Sequence, residues 1–141
     1  MYKRQDAYSA IADIASGDAR YAINLLQAAA ATDEHITRDD VYQAASRARP
    51  EEVREMIDLA LAGKFVEARN KLLDLLVNRG MSGDLIIKEM HNQIVRNERI
   101  PDVKKPELIN LIGEYEFRIL EGGSEIIQLD ALLARLATVM R

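Results

Sequence analysis

The chain of 141 residues has no cysteine and no tryptophan, and only two histidines and three prolines. Without cysteine there is no disulfide framework, no thiolate nucleophile and no cysteine-ligated zinc. His35 and His91 lie far apart and outside any His-Glu-x-x-His spacing, so they read as solvated or packing residues, not metal ligands. Aromatic residues make up 5% of the chain, which leaves little for stacking on bases, and the formal charge of −4 opposes a nucleic-acid platform. No apolar run is long enough to span a membrane. The opening Met1-Tyr2-Lys3-Arg4-Gln5 is polar where a signal peptide would be apolar, nothing suggests secretion, and the cytosol is the expected location. Phosphate-loop chemistry is missing too: there is no Gly-x-x-x-x-Gly-Lys-Ser/Thr run, and Gly122-Gly123-Ser124 has no lysine after it and reads as a turn. No strand-like run ends in paired acids that would hold magnesium.

What the chain does have is a core and a helical rhythm. Hydrophobic residues are 48% and charged residues 30%, enough apolar surface to exclude disorder. Ala7, Ala10, Ile11 and Ile14 form a first stripe at helical spacing, stopped by Ser16-Gly17. A second helix is expected to run to about Ala31, burying Ala22, Ile23, Leu26, Ala29 and Ala30, with a polar loop over Thr32-Asp33-Glu34-His35. Thr37 is placed to cap a third helix, with Asp39 and Asp40 complementing its dipole and Val41, Ala44 and Ala45 behind them. The carboxylates around Asp33 and Asp39 lack the spacing of a calcium loop, and capping accounts for them. Arg47-Ala48-Arg49-Pro50 marks a boundary, because the residue before proline leaves the helical region and proline suits a first helical position.

Five helical patterns follow Pro50. Val53, Met56, Ile57, Ala60 and Leu61 define the first; Phe65, Ala68, Leu72, Leu75 and Leu76 the second. Ser82 caps the third, with Ile86, Ile87, Met90, Ile94 and Val95 as its apolar positions. Leu108, Leu111, Ile112, Tyr115 and Ile119 form the fourth stripe, and Ile126, Leu129, Leu132, Leu133, Leu136, Ala137 and Met140 the fifth. Arg96, Arg99, Lys104 and Lys105 form the one basic cluster, interrupted by Glu98 and Asp102 and read as a solvated loop. Glu114 and Glu116 are two apart and face different sides of their helix, so they are no catalytic pair. There is no catalytic constellation.

The most specific stretch is Gly17-Asp18-Ala19-Arg20-Tyr21-Ala22-Ile23-Asn24-Leu25-Leu26-Gln27. Gly17 can close one helix in the left-handed conformation and Asp18 can cap the next. Arg20 then stands in the first turn, where the macrodipole disfavours a cation but the free N–H groups favour an anion. The run resembles the sensor 2 segment of AAA+ clamp-loader ATPases, in the small-subunit family of replication factor C of the archaeal type. In that family the arginine reaches from the helical lid to the phosphates of ATP, and residue by residue it corresponds to Arg20. Asn24 and Gln27 match as well and read as hydrogen-bonding or packing residues. The similarity continues through Ala48-Arg49-Pro50-Glu51-Glu52, Gly80-Met81-Ser82-Gly83-Asp84 and Leu111-Ile112-Gly113-Glu114-Tyr115-Glu116-Phe117-Arg118, covering the chain from about Ala7. Residues 1–5 carry no match.

This resemblance implies an all-α chain, with residues 1–47 the remainder of an AAA+ lid and residues 48–141 a five-helix collar bundle that holds neighbouring subunits in a ring. It implies a C-terminal portion of a clamp-loader subunit that is not itself an enzyme, needing no cofactor, while the full-length parent would use ATP and magnesium. The implied partners are other clamp-loader subunits, with the sliding clamp and primer-template DNA in the full complex, and no membrane. From the residues alone, Leu73, Ile109, Leu120, Ile127 and Val139 fall off the main apolar faces and are expected to be partly exposed, as an interaction patch would be. A free-standing helical adaptor that binds proteins and no nucleotide is the alternative, and a helical DNA-binding module is opposed by the acidic balance.

Overall fold

The computed structural model describes residues 2–31 and 35–140, whose regular elements are all helices, with no strand among the described residues. They form two compact units, residues 1–49 and residues 50–141.

The first unit holds α1 (Tyr2–Ala15), α2 (Ala19–Ala30) and α3 (Arg38–Ala44). The expected stripe of α1 is all buried: Ala7, Ala10, Ile11 and Ile14 pack with Leu25, Ala29, Val41 and Tyr42. The reversal between α1 and α2 uses two left-handed residues, Ser16 at φ 49° and Gly17 at φ 87°. Ser16 carries a Cβ there, and its hydroxyl donates to the Asp13 carbonyl at 3.1 Å, closing the helix end. Thr37 caps α3 in a full capping box: its hydroxyl accepts from the Asp40 N–H while the Asp40 carboxylate accepts from the Thr37 N–H. The loop expected over Thr32–His35 lies outside the described residues apart from His35, which is exposed.

One expectation for α2 fails. Ile23 is 57% exposed and Ala30 is exposed, whereas Leu25 is buried. Ile23 follows Arg20 by three residues and so shares its face, while Leu25 and Ala29, four apart, set the buried stripe with Ala22 and Leu26 half-buried beside them.

The second unit is a bundle of α4 (Pro50–Leu61), α5 (Phe65–Leu73), α6 (Gly83–Arg96), α7 (Lys105–Leu120) and α8 (Glu125–Val139). Pro50 opens α4, where its missing N–H is harmless. Ser82 and Ser124 cap α6 and α8 through the N–H groups of Leu85 and Ile127. Met56, Ile57, Leu72, Ile86, Ile87, Met90, Ile94, Leu108, Leu129, Leu132 and Leu133 are fully buried, each burial contributing about 1.5–3 kcal/mol of transfer free energy. The second pattern after Pro50 is not one regular helix. Past Leu73 the backbone widens into a π turn over Asp74–Asn78, closed by the Arg79 N–H donating to the Asp74 carbonyl at 3.0 Å. The Arg79 guanidinium then pairs with Glu52 on α4 and lies 3.5 Å from Asp74. Three edges of the expected stripes also turn outward: Val95 is 44% exposed, Ile126 39% and Met140 37%. Each sits at the end of its helix, where the bundle no longer covers it.

Candidate functional site

Arg20 is the second residue of α2, directly after Ala19 and the cap Asp18. The cap is formed as expected: the Asp18 carboxylate accepts from the Tyr21 N–H at 3.0 Å, and its backbone is extended. The first turn of α2 holds no acid, and Arg20 makes no ion pair or hydrogen bond among the described residues. Its side chain is exposed on the face opposite Leu25 and Ala29. Ile23, Asn24 and Gln27 follow at three, four and seven residues and are exposed as well. One face of α2 thus presents a guanidinium, an amide pair and a bare isoleucine, next to the unspent N–H groups of the helix start.

The five candidate apolar positions are all incompletely buried. Leu120 is 66% exposed and Ile127 65%, while Leu73, Ile109 and Val139 are half-buried. They do not form one patch. Leu120 and Ile127 bracket the Gly122–Gly123 turn between α7 and α8. Leu73 stands on α5 one turn from Arg69, whose guanidinium holds Asp130 of α8 at 3.0 Å, and Ile127 is one turn from Asp130. Ile109 is about 17 Å from Leu120 along α7, and Val139 about 18 Å from Ile127 along α8, from the helical rise. Ile109 instead borders a groove of about 410 Å³ between α6 and α7, lined also by Lys88, His91 and Glu116.

Sequence reasoning missed Phe117, which is 62% exposed. It follows Gly113 by four residues and precedes Leu120 by three, so Ile109, Gly113, Phe117 and Leu120 draw a second line on α7 away from the buried Leu108, Leu111, Ile112 and Tyr115. That spacing was available in the sequence, but the buried stripe beside it dominates the pattern. Among the described residues no three metal-ligating side chains come together, and no helix is long and apolar enough to cross a membrane.

Comparison with known proteins meets the same residues. Residues 48–135 match the family described as the replication factor C C-terminal domain. The chain belongs to the replication factor C family. It is 52% identical over 131 residues to the replication factor C small subunit of Thermococcus kodakarensis, covering 93% of this chain and 15% of that protein. It is 51% identical over 134 residues to that of Sulfurisphaera tokodaii, covering 94% of this chain and 41% of that protein. The small subunit of Methanocaldococcus jannaschii is 49% identical over 137 residues, 97% of this chain and 7% of that protein. The chain therefore spans less than half the length of these relatives. The matched segment begins just before α4 and takes in the replication factor C helical bundle almost to the end of α8. It leaves α1, α2 and α3, with Arg20, to the similarity with the small subunits.

Proposed function

We propose that this chain serves as the C-terminal portion of a DNA sliding-clamp loader subunit, a cytoplasmic replication protein. Its helical bundle would hold sister subunits together, and Arg20 would report on ATP bound elsewhere in the same subunit. The observation that carries the nucleotide part is Arg20 itself: a cation at the second position of α2, with no partner among the described residues, on a face the three-helix unit leaves open. A helix start ordinarily favours acids, and a guanidinium beside free N–H groups suits a phosphate. These 141 residues contain no phosphate loop, so ATP and magnesium would be held by other parts of the subunit and Arg20 would only sense them. The size of the first unit supports this reading. About 50 residues with an alanine-rich core are marginal as an independent domain, and Tyr8 and Ile23 stay 54% and 57% exposed, as expected of a lid that completes its packing against an ATP-binding core.

The assembly part rests on Leu120, Ile127 and Phe117, which concentrate exposed apolar surface at the α7–α8 turn. Sister subunits would be the partners there, with the sliding clamp and primer-template DNA engaged by the whole complex.

The decisive experiment places Arg20→Ala in a subunit that carries the ATP-binding core. Because Arg20 is exposed, the variant keeps its helical content and melting temperature. ATP turnover stimulated by clamp and primed DNA drops by one to two orders of magnitude, as for a lost charge-assisted contact of about 1.5–3 kcal/mol. Turnover equal to that of the unmodified subunit would remove the sensing role.

A further inference from the structure

The basic residues at the end of α6 do not form an isolated solvated loop. Arg96, in the last turn of α6, and Arg99, in the connector to α7, meet Arg54 of α4 around a cleft of about 480 Å³, lined also by Gln93, Asn97 and Glu98. That volume falls in the range of about 300–1,000 Å³ typical of small-molecule sites.

Asn97 organises the cleft and is only 9% exposed. Its Nδ2 donates to Asp58 Oδ1 at 3.2 Å, and its Oδ1 accepts from the Arg99 backbone N–H at 2.9 Å, tying the connector to α4. The other Asp58 oxygen lies 3.9 Å from Arg54 Nε and 3.7 Å from Arg99 Nη1. Both separations exceed a hydrogen bond, so one carboxylate serves two guanidiniums through charge alone. Arg96 has no ion pair among the described residues. No guanidinium N–H of the three is bonded to a protein acceptor there, although each guanidinium carries five donors. Three of the six lining residues are arginine and one, Glu98, is acidic; Asp58 stands beside Arg54 and Arg99, and Glu89 accepts from the lining Gln93 at 2.8 Å.

We propose that this cleft binds a phosphate group through Arg54, Arg96 and Arg99, with Asp58 and Asn97 as the struts that position them. Unspent planar forks converging from two elements are the chemistry of bidentate phosphate recognition. The phosphate has two sources to be told apart, the backbone of a single-stranded nucleic acid and a free polyphosphate. The site lies in the helical bundle and shares no residue with the Arg20 face of α2.

The test uses the 141-residue chain in dilute buffer. Titration with inorganic pyrophosphate is followed by amide chemical shifts, and a fluorescently labelled thymidine oligonucleotide is followed by anisotropy, then challenged with pyrophosphate. Shifts concentrated at Arg54 and residues 96–99 are expected. The double variant Arg96→Gln with Arg99→Gln should weaken binding by about tenfold or more, the loss of charged hydrogen bonds. Lys64→Gln with Lys88→Gln, an equal change of charge outside the cleft, should stay within about twofold. Oligonucleotide binding displaced by pyrophosphate identifies the nucleic-acid source; pyrophosphate binding without the oligonucleotide identifies the free one. Absence of cleft shifts with either probe, an equal effect of the two double variants, or a response to polyglutamate but not to pyrophosphate would each overturn the proposal. Unchanged circular dichroism of the variants separates loss of the site from loss of the fold, because Arg96 is exposed and the Arg99 side chain is 75% exposed.

Discussion

Replacing Leu120 and Ile127 together by glutamate separates surface from core on either side of one turn. About a third of each side chain is buried, since Leu120 is 66% and Ile127 65% exposed. Full burial of such a side chain is worth about 1.5–3 kcal/mol, so the folded chain loses only about 0.5–1 kcal/mol at each position. The bundle should stay helical, with a small fall in the denaturant midpoint and an unchanged slope. If the exposed two thirds are covered in an assembled ring, the pair contributes about 2–4 kcal/mol per contact, before the cost of burying two carboxylates is added. That weakens association by roughly 30- to 700-fold at about 1.4 kcal/mol per decade. Far-ultraviolet circular dichroism of the 141-residue chain reads the first quantity, and sedimentation of the subunit-length protein reads the second. Leu133→Glu is the contrast, since Leu133 is fully buried and a charge there should unfold the bundle. A double variant that sediments as an intact ring refutes the interface, and one that melts like Leu133→Glu shows that the faces of α7 and α8 are wrongly read.

Other expectations are simpler to check. Asp18→Ala removes the cap on the Tyr21 N–H and should destabilise the first unit by about 1 kcal/mol, seen as faster amide exchange along α2 with the second unit unchanged. The glycines of α7 and its turn should respond in opposite directions. At Gly113 an added Cβ meets nothing within 4 Å, so Gly113→Ala should raise stability by up to about 1 kcal/mol. At Gly123 the Cβ would lie 2.7 Å from the Arg118 carbonyl oxygen, so Gly123→Ala should lower the denaturation midpoint by forcing the turn open.

The helical class, and much of what positions the functional residues, could be read in the sequence because caps and stripes are local. Asp18, Thr37 and Ser82 cap the helices they were expected to cap, each needing only neighbours within a few residues. The buried stripes of α1, α6 and α8 follow because one period dominates each helix. Errors gather where a residue belongs to two competing periods. Ile23 fits an apolar stripe by type and the Arg20 face by spacing, and the fold gives it to Arg20. The π turn at Asp74–Asn78 leaves no signature in the apolar spacing, and Arg79, which closes it, pairs with Glu52, distant in sequence. The cleft at Arg54 escaped for the same reason: Arg96 and Arg99 were legible as a cluster, but the third arginine comes from α4.

The two units differ in how completely they bury themselves, and this bears on which of them acts as a scaffold. The second unit encloses large side chains from all five of its helices, among them Met56, Leu72, Met90, Leu108 and Leu132, each fully buried. The first encloses fewer, Ile11, Ile14, Leu25, Val41 and Tyr42, with Ala7, Ala10 and Ala29 completing its core. With fewer large side chains buried, the small unit has less with which to resist local opening. An element that must respond to a ligand is drawn from the low-stability part of a structure, and a scaffold from the other part. Arg20 stands on the weaker unit, and the exposed apolar residues at the α7–α8 turn stand on the stronger one. The roles proposed above, sensing for the first unit and holding for the second, accord with this difference in burial.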